Sequence, residues 1–373
     1  MDRKLWQDFD YILLSVTLLL LAYGAAMVYS ATLDPTQEEL LSETMVRHLI
    51  SIGIGIVAMA AVTLIDYHVL ARFSKAFYAL AIGLLVAIFA IGQVFMGAQR
   101  WLATDLFTIQ TSEPVKFLLI LVLAKYLSDN QSSMGRLRTV LISLLLVSVP
   151  LVLIYLQPNL STALVVFTVW LVMLIMAGMR WQHLLALGGL GVIAAPLIWL
   201  SMRPYMRERV LVYLNPGQDP AGAGYNPMQA LVSIGSGGWL GKGFASGTQS
   251  QLHFLRVRHT DFIFSVTCEE LGFVGGLIMF ALLAIILFRI IRAARLSRDI
   301  FGQQIALGVA TVILFQSFAN IGMNLGMLPA AGLPLPFVSY GGSYLIPLLA
   351  ALGLIQSIIV HQRPLDFWSR PKG

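Results

Sequence analysis

The sequence predicts an all-α membrane protein of about ten transmembrane helices, with a long structured extracytoplasmic loop between the seventh and eighth. Three observations carry this reading. The 373 residues are 58% hydrophobic and only 11% charged, with a mean hydropathy of +0.82. Apolar runs of membrane-spanning length recur along the whole chain. The basic residues gather on alternate connections between those runs. A soluble domain of this size could not cover so much apolar surface, so lipid must be the solvent for much of it.

Roughly 20 apolar residues cross the hydrocarbon, and candidate spans lie at about 11–30, 48–65, 75–96, 113–128, 137–156, 160–178, 182–202, 262–288, 303–327 and 341–360. The first run, from Tyr11, is too long and too quickly followed by others to be a cleaved signal peptide. An even number of spans puts both termini on one side. Fifteen Lys and Arg residues fall on the short connections and ends of that side, against Arg47, Arg100 and Lys116 on the short connections opposite. The positive-inside rule then places both termini of a multi-pass membrane protein in the cytoplasm. The formal charge of +6 is mostly this topology signal and does not indicate a nucleic-acid partner. A single cysteine, Cys268, excludes an intramolecular disulfide. No internal repeat, soluble domain or low-complexity linker interrupts the chain, so residues 1–373 read as a single polytopic membrane domain.

The segment 203–261 breaks the charge pattern. It carries Arg203, Arg207, Arg209, Lys242, Arg256 and Arg258 against the acids Glu208, Asp219 and Asp261. Long loops translocate regardless of charge, so these cations do not contradict the topology. Long structured loops are often functional, and an anionic ligand at the outer face is the natural candidate.

Charged residues at or inside a membrane boundary are costly and default to functional hypotheses. In "SEPVK" (112–116), Glu113 and Lys116 stand at i and i+3 on one helix face and can pair; a structural ion pair explains them as well as a site does. Thr111 or Ser112 can cap that helix, and Pro114 is tolerated in its first turn. Arg100 and Trp101 suit an interfacial anchor as well as a ligand contact. Gln157, Asn159 and Ser161 read as turn and cap residues. In "RVRHTDFIFSVTCEEL" (256–271), Asp261 opens a long helix, where a carboxylate is also well placed as a cap. The helix dipole, Arg256 and Arg258 favour its ionised form; burial or a nearby Glu113 would oppose them. At 100° per residue Glu270 points nearly opposite to Asp261, so Glu269 and Glu270 are expected to be helix-packing acids. "GSGGWLGKG" (235–243) is no Walker loop, since Gly243 follows Lys242 where Ser or Thr is required. The six histidines show no metal-ligand spacing.

The segments "GAQRWL" (97–102), "SEPVK" (112–116), "QPNLSTAL" (157–164), "GYNPMQALVSIGSGGWLGKG" (224–243), "GTQSQLHFLRVRHTDFIFSVTCEELG" (247–272) and "GLPLPFVSYGGS" (332–343) resemble those of the shape, elongation, division and sporulation (SEDS) family, in the family's order. The "GTQSQ" is closer to the family's elongation member than to its division member. The resemblance implies a ten-span peptidoglycan glycosyltransferase that polymerises lipid II outside the plasma membrane, working with a class B penicillin-binding protein (a transpeptidase) and other elongation-complex proteins. The family's essential acid falls on Asp261. Contacts to substrate are then expected at Arg100, Trp101, Glu113, Lys116, Arg207, Arg209, Lys242, Gln249, His259, Thr260, Ser339 and Tyr340. One departure stands out: where the family has Pro-Glu before "HTD", this chain has Arg256-Val257, which exchanges an acid for a base.

The chemistry agrees with these residue types. A departing polyprenyl pyrophosphate needs charge stabilisation rather than protonation, which cations supply. One carboxylate then suffices, to take the proton from the attacking sugar hydroxyl, unlike the paired acids of a glycosidase. The sequence requires no cofactor, although a divalent cation (Mg or Mn) at the pyrophosphate is compatible with it. Two rival readings are a flippase for the lipid-linked precursor, which should carry charged groups deep along a path to the cytoplasm, and a non-catalytic scaffold for the transpeptidase.

Overall fold

The computed structural model describes residues 8–33, 41–95, 98–103, 108–215, 222–252 and 254–361, without the side chains of 91, 93–100 and 102–109. Its helices in chain order are α1 (Tyr11–Thr32), α2 (Glu43–Leu64), α3 (Tyr67–Arg72), α4 (Ser74–Ile91), α5 (Ser112–Asp129), α6 (Leu137–Leu156), α7 (Leu160–Met176), α8 (Trp181–Ser201), α9 (Pro204–Leu214), α10 (Tyr225–Gly237), α11 (Thr248–Gln251), α12 (Ile263–Leu296), α13 (Ile300–Asn324) and α14 (Gly342–Val360). The long helices α1, α2, α4–α8 and α12–α14 coincide with the ten expected spans. Seven of these are long and apolar enough to cross a membrane, and α4 and α7 are shorter apolar helices. The remaining one, α5, carries Glu113, Lys116, Lys125 and Asp129.

Capping residues mark several helix starts, because the first backbone N–H groups of a helix have no partner within it. Asp10, Ser42, Asp66, Asn159 and Asp299 accept from the first turns of α1, α2, α3, α7 and α13. The start of α5 differs from expectation. Its N-cap Thr111 makes no side-chain cap bond, and the Thr111 hydroxyl is buried without a partner.

Helix α13 lies at the centre, against α5, α7 and α12, while α2 packs along α14. None of the residues of α8 is buried, as expected of a helix with lipid all around it. Between α4 and α5 the chain forms an antiparallel sheet of β1 (Gln93–Phe95), β2 (Ala98–Ala103) and β3 (Thr108–Gln110), in that spatial order. Apolar periodicity did not announce it.

The long loop contains α9, α10 and α11 and folds back onto the bundle, with α10 lying along α12. There α12 is interrupted: Gly272 has φ +69° and ψ −165°. Residues 238–243 lie against this break. Phe273 and Val274 N–H donate to the carbonyls of Gly238 and Trp239, at 2.9 and 3.1 Å. Lys242 and Gly243 N–H donate to those of Glu269 and Glu270, both at 3.0 Å. Backbone groups freed from a helix inside a membrane protein must be paired again, and here the loop does it. The approach explains Gly241 (φ +79°), where a Cβ would sit 2.1 Å from the Glu270 carbonyl oxygen.

Glu269 and Glu270 are therefore more than packing acids. Glu269 accepts from Lys242 Nζ (2.9 Å), Thr248 Oγ1 (3.2 Å) and the N–H groups of Gln249 (2.8 Å) and Ser250 (3.2 Å). Glu270 accepts from Ser30 Oγ (2.6 Å), Ala245 N–H (3.0 Å) and Ser250 Oγ (3.3 Å). Both acids are fully buried, and together they anchor residues 242–251 to α12.

Candidate active site

The segment before α12 is held by its backbone. The His259 carbonyl accepts from Tyr340 N–H at 2.8 Å. The Thr260 carbonyl accepts from Ser339 Oγ at 2.6 Å. The Asp261 carbonyl accepts from the Nδ2 groups of Asn320 and Asn324, each at 3.0 Å. Three consecutive carbonyls are thus taken by groups of α13 and of the 333–341 loop, outside any helix ladder. The N-cap of α12 is Phe262, so Asp261 stands one residue before the cap position.

The cations of this segment have local roles. Arg256 lies over the Tyr225 ring, 5.5 Å from its centroid. Arg258 Nε donates to the Ala31 carbonyl at the C-terminal end of α1, where a cation is favoured by the helix dipole. Between them Val257 adopts φ +54°, a conformation that costs a β-branched residue on the order of 1–3 kcal/mol and persists only when surrounding contacts impose it. The Arg256-Val257 pair therefore sits at a strained turn leading into His259.

The loop also brings a cation to the edge that Asp261 borders. A Cβ on Gly332 would lie 3.5 Å from Arg209 Nη1 and 3.7 Å from Asp261 Oδ2, so guanidinium and carboxylate both border the Gly332 edge. Arg209 Nη1 also donates to the Ala330 carbonyl at 3.3 Å. Helix α9 is fastened nearby through Tyr205, whose hydroxyl donates to the Pro158 carbonyl at 2.6 Å, and Tyr213, whose hydroxyl donates to that of Met327 at 2.8 Å. Arg207 turns the other way and donates to the Leu200 carbonyl near the end of α8.

Glu113 and Lys116 form a buried ion pair, Oε2 to Nζ 2.7 Å, with the residues 3% and 2% exposed. The pair stands behind the 339–344 segment: Tyr344 is close enough to feel the Glu113 charge, and its hydroxyl donates to the Ser339 carbonyl. Trp101 on β2 pairs with Gln110 on β3, and Gln110 N–H donates to Ser343 Oγ at 3.1 Å. The sheet therefore joins the start of α14. The Arg100 side chain lies outside the described residues.

The expected residues thus fall into groups. His259, Thr260, Asp261, Ser339, Tyr340 and Arg209 come together, with Glu113, Lys116 and the Trp101 strand behind them. Lys242 and Gln249 are engaged with Glu269 instead, through the Lys242 ion pair and the Gln249 N–H. Sequence reasoning missed Asn320 and Asn324, although two amides within an apolar span are themselves an expensive signal.

The His259 ring meets that of Tyr340 edge-on, centroids 5.4 Å apart, and Tyr340 also lies 5.8 Å from the buried His48 ring. Burial, and then the charge of Arg258, push the His259 imidazole below its ordinary range. The unfolded chain takes this proton near pH ~6.5, so below that pH it binds more protons than the folded state. Stability is then full above about pH 6.5 and falls as the pH drops toward the folded value. Thermal unfolding followed across this range should show the decline, with a shallower slope for His259→Gln; an unchanged slope would acquit His259.

Among the described residues no group of three or more His, Cys, Asp and Glu side chains could hold a metal ion. An apolar hollow of about 350 Å³ lies between α10, α12 and α13, lined by Ile234, Phe264, Cys268, Phe273 and Ile321 among others. None of the expected site residues lines it.

Known proteins match this chain along nearly its full length. The family profile described as "Cell cycle protein", labelled for FtsW, RodA and SpoVE, matches residues 11–364. The peptidoglycan glycosyltransferase MrdB of Escherichia coli (strain K12) is 38% identical over 358 residues, 96% of this chain and 95% of its own. Stage V sporulation protein E of Bacillus subtilis (strain 168) is 35% identical over 359 residues, 95% of this chain and 98% of its own. Among solved structures, the rod shape determining protein RodA of Thermus thermophilus is similar with a TM-score of 0.70 and 28% identity, over 94% of this chain and 96% of its own. A chain from work on "structural coordination of polymerization and crosslinking by a peptidoglycan synthase complex" is similar with a TM-score of 0.80 and 30% identity, over 95% of this chain and 99% of its own. With its motifs, its helices and its whole length in agreement, this multi-pass membrane protein belongs to the FtsW, RodA and SpoVE family of cell cycle proteins.

Proposed function

We propose that this chain is a peptidoglycan glycosyltransferase that polymerises lipid II into glycan strands at the outer face of the bacterial plasma membrane during cell elongation. Polyprenyl pyrophosphate is the leaving group, and both termini lie in the cytoplasm. The observation that carries the reading is that Asp261 and Arg209 both border the Gly332 edge, with the Asp261 segment held through its backbone from two sides. The Asp261 carboxylate takes the proton of the acceptor sugar hydroxyl. The hydroxyl oxygen forms its bond to the anomeric carbon as the bond from that carbon to the pyrophosphate oxygen breaks, with inversion. Arg209 stabilises the charge gathering on the departing pyrophosphate. His259, Thr260, Ser339 and Tyr340 shape the edge around the acceptor. Lys242 and Gln249 act through the anchoring of the loop.

The partner is a class B penicillin-binding protein that crosslinks the strands as they form, with other elongation-complex proteins around the pair. This rests on the similarity to a chain whose complex is described as coordinating polymerization and crosslinking. A flippase is less well supported. Its substrate path would need charged groups at depth, whereas Glu269 and Glu270 are occupied by residues 242–251 and Ser30. The deciding experiment supplies purified lipid II to the purified protein with its partner and separates glycan polymer from transbilayer movement. Polymer is expected. Movement of lipid II without polymer would overturn the assignment in favour of the flippase.

A further inference from the structure

Asn320 and Asn324 lie one turn apart at the C-terminal end of α13, both with no exposed surface. Every hydrogen of the Asn320 amide is used outside its own helix. Its Nδ2 donates to the Asp261 carbonyl at 3.0 Å and to the Leu333 carbonyl at 2.8 Å. Leu333 follows Gly332, whose edge both Asp261 Oδ2 and Arg209 Nη1 border. One planar amide therefore bridges the segment that carries the acid and the segment that carries the Arg209 edge. Asn324 adds a second donor to the same Asp261 carbonyl at 3.0 Å, donates to the Asn320 carbonyl at 2.8 Å, and accepts from Ser265 Oγ at 2.6 Å. Ser265 is in the first turn of α12, so this network also ties the helix following the acid.

Buried amides of this kind are costly unless fully satisfied, and a satisfied network rigidifies what it touches. Stabilising a helix bundle would not require two asparagines, since apolar side chains pack a bundle without desolvating an amide. What only an amide can do here is hold two carbonyls from two loops at a set spacing. We propose that Asn320 is a positioning residue for glycosyl transfer: it fixes the separation of the Asp261 carboxylate from the Arg209–Gly332 edge, with Asn324 as its brace. The inference rests on the assignment of Asp261 as the base.

The test uses full-length protein with its transpeptidase partner and purified lipid II, comparing Asn320→Leu, Asn320→Gln, Asn324→Val and Asp261→Asn, with rates expressed per folded molecule. A misplacement of about 1 Å at a reacting group costs on the order of 100-fold in rate. Asn320→Leu is accordingly expected to lose about 100-fold in kcat, with KM for lipid II changed by no more than about 3-fold. Asn320→Gln, which keeps both amide hydrogens on a longer arm, should recover part of the rate. Asn324→Val, which leaves both Asn320 bonds available, should show a smaller but measurable loss, on the order of 10-fold. A folded Asn320→Leu variant with wild-type kcat would overturn the proposal, and so would a loss shared equally by kcat and KM. Should Asn320→Leu fail to fold, Asn324→Val carries the test, and wild-type kcat there overturns it. Wild-type polymerisation by Asp261→Asn would instead remove the base assignment itself, whatever the Asn320 variants do.

Discussion

Asp261→Asn is expected to lower the rate of glycan-chain assembly by about 10²–10⁴-fold, the range a positioned general base contributes. The substitution is unusually clean at this position. The residue is held through its backbone carbonyl by Asn320 and Asn324, and an asparagine presents the same carbonyl. Asparagine is also nearly the same size as aspartate and equals it as an acceptor near a helix start, so any favourable contact with the first turn of α12 survives. What disappears is the ability to take a proton. Folding is therefore expected to be unchanged, as judged by thermal unfolding in detergent, while radiolabelled lipid II stays unpolymerised. Polymer made at the wild-type rate would show that the acceptor hydroxyl loses its proton elsewhere.

The second large effect falls on stability. Lys116→Met leaves the Glu113 carboxylate, 3% exposed, without its cation inside the bundle. Removing one partner of a buried ion pair costs about 3–5 kcal/mol, because the remaining charge has neither water nor counterion. The single variant should unfold at a clearly lower temperature or fail to yield monodisperse protein. The double variant Glu113→Leu with Lys116→Met should recover most of that loss, since no charge is left to desolvate. This pair of measurements also separates the two readings of the site. A double variant that folds and polymerises makes the pair a packing device, and one that folds but is inactive places it at the substrate. A Lys116→Met variant as stable as wild type would refute the structural role outright.

The spans were legible because apolar runs of membrane length have few other meanings, and α6 begins and ends where its apolar run does. The cluster around Asp261 was legible as a set of motifs, yet its geometry was not. That Arg209 borders the same Gly332 edge as the acid while Arg207 turns back to Leu200 depends on the path of α9, which a count of loop cations does not contain. The engagement of Lys242 with Glu269 joins residues 27 positions apart, and no spacing rule reads across a loop that folds back. The three strands were invisible because segments of three to six residues leave little room for alternation. Asn320 and Asn324 went unnoticed for a different reason. They sit inside a run whose hydropathy reads as an ordinary span, although a buried amide is subject to the same argument as a charge.

The break in α12 has a consequence for how the chain assembles. A spanning helix interrupted at Gly272 cannot complete its own backbone bonding while it is being inserted. The missing partners come from residues 238–243, which precede it and are already synthesised when it emerges. Closure therefore needs both segments in place: the glycine-rich ribbon can seal the notch only once the interrupted helix stands beside it.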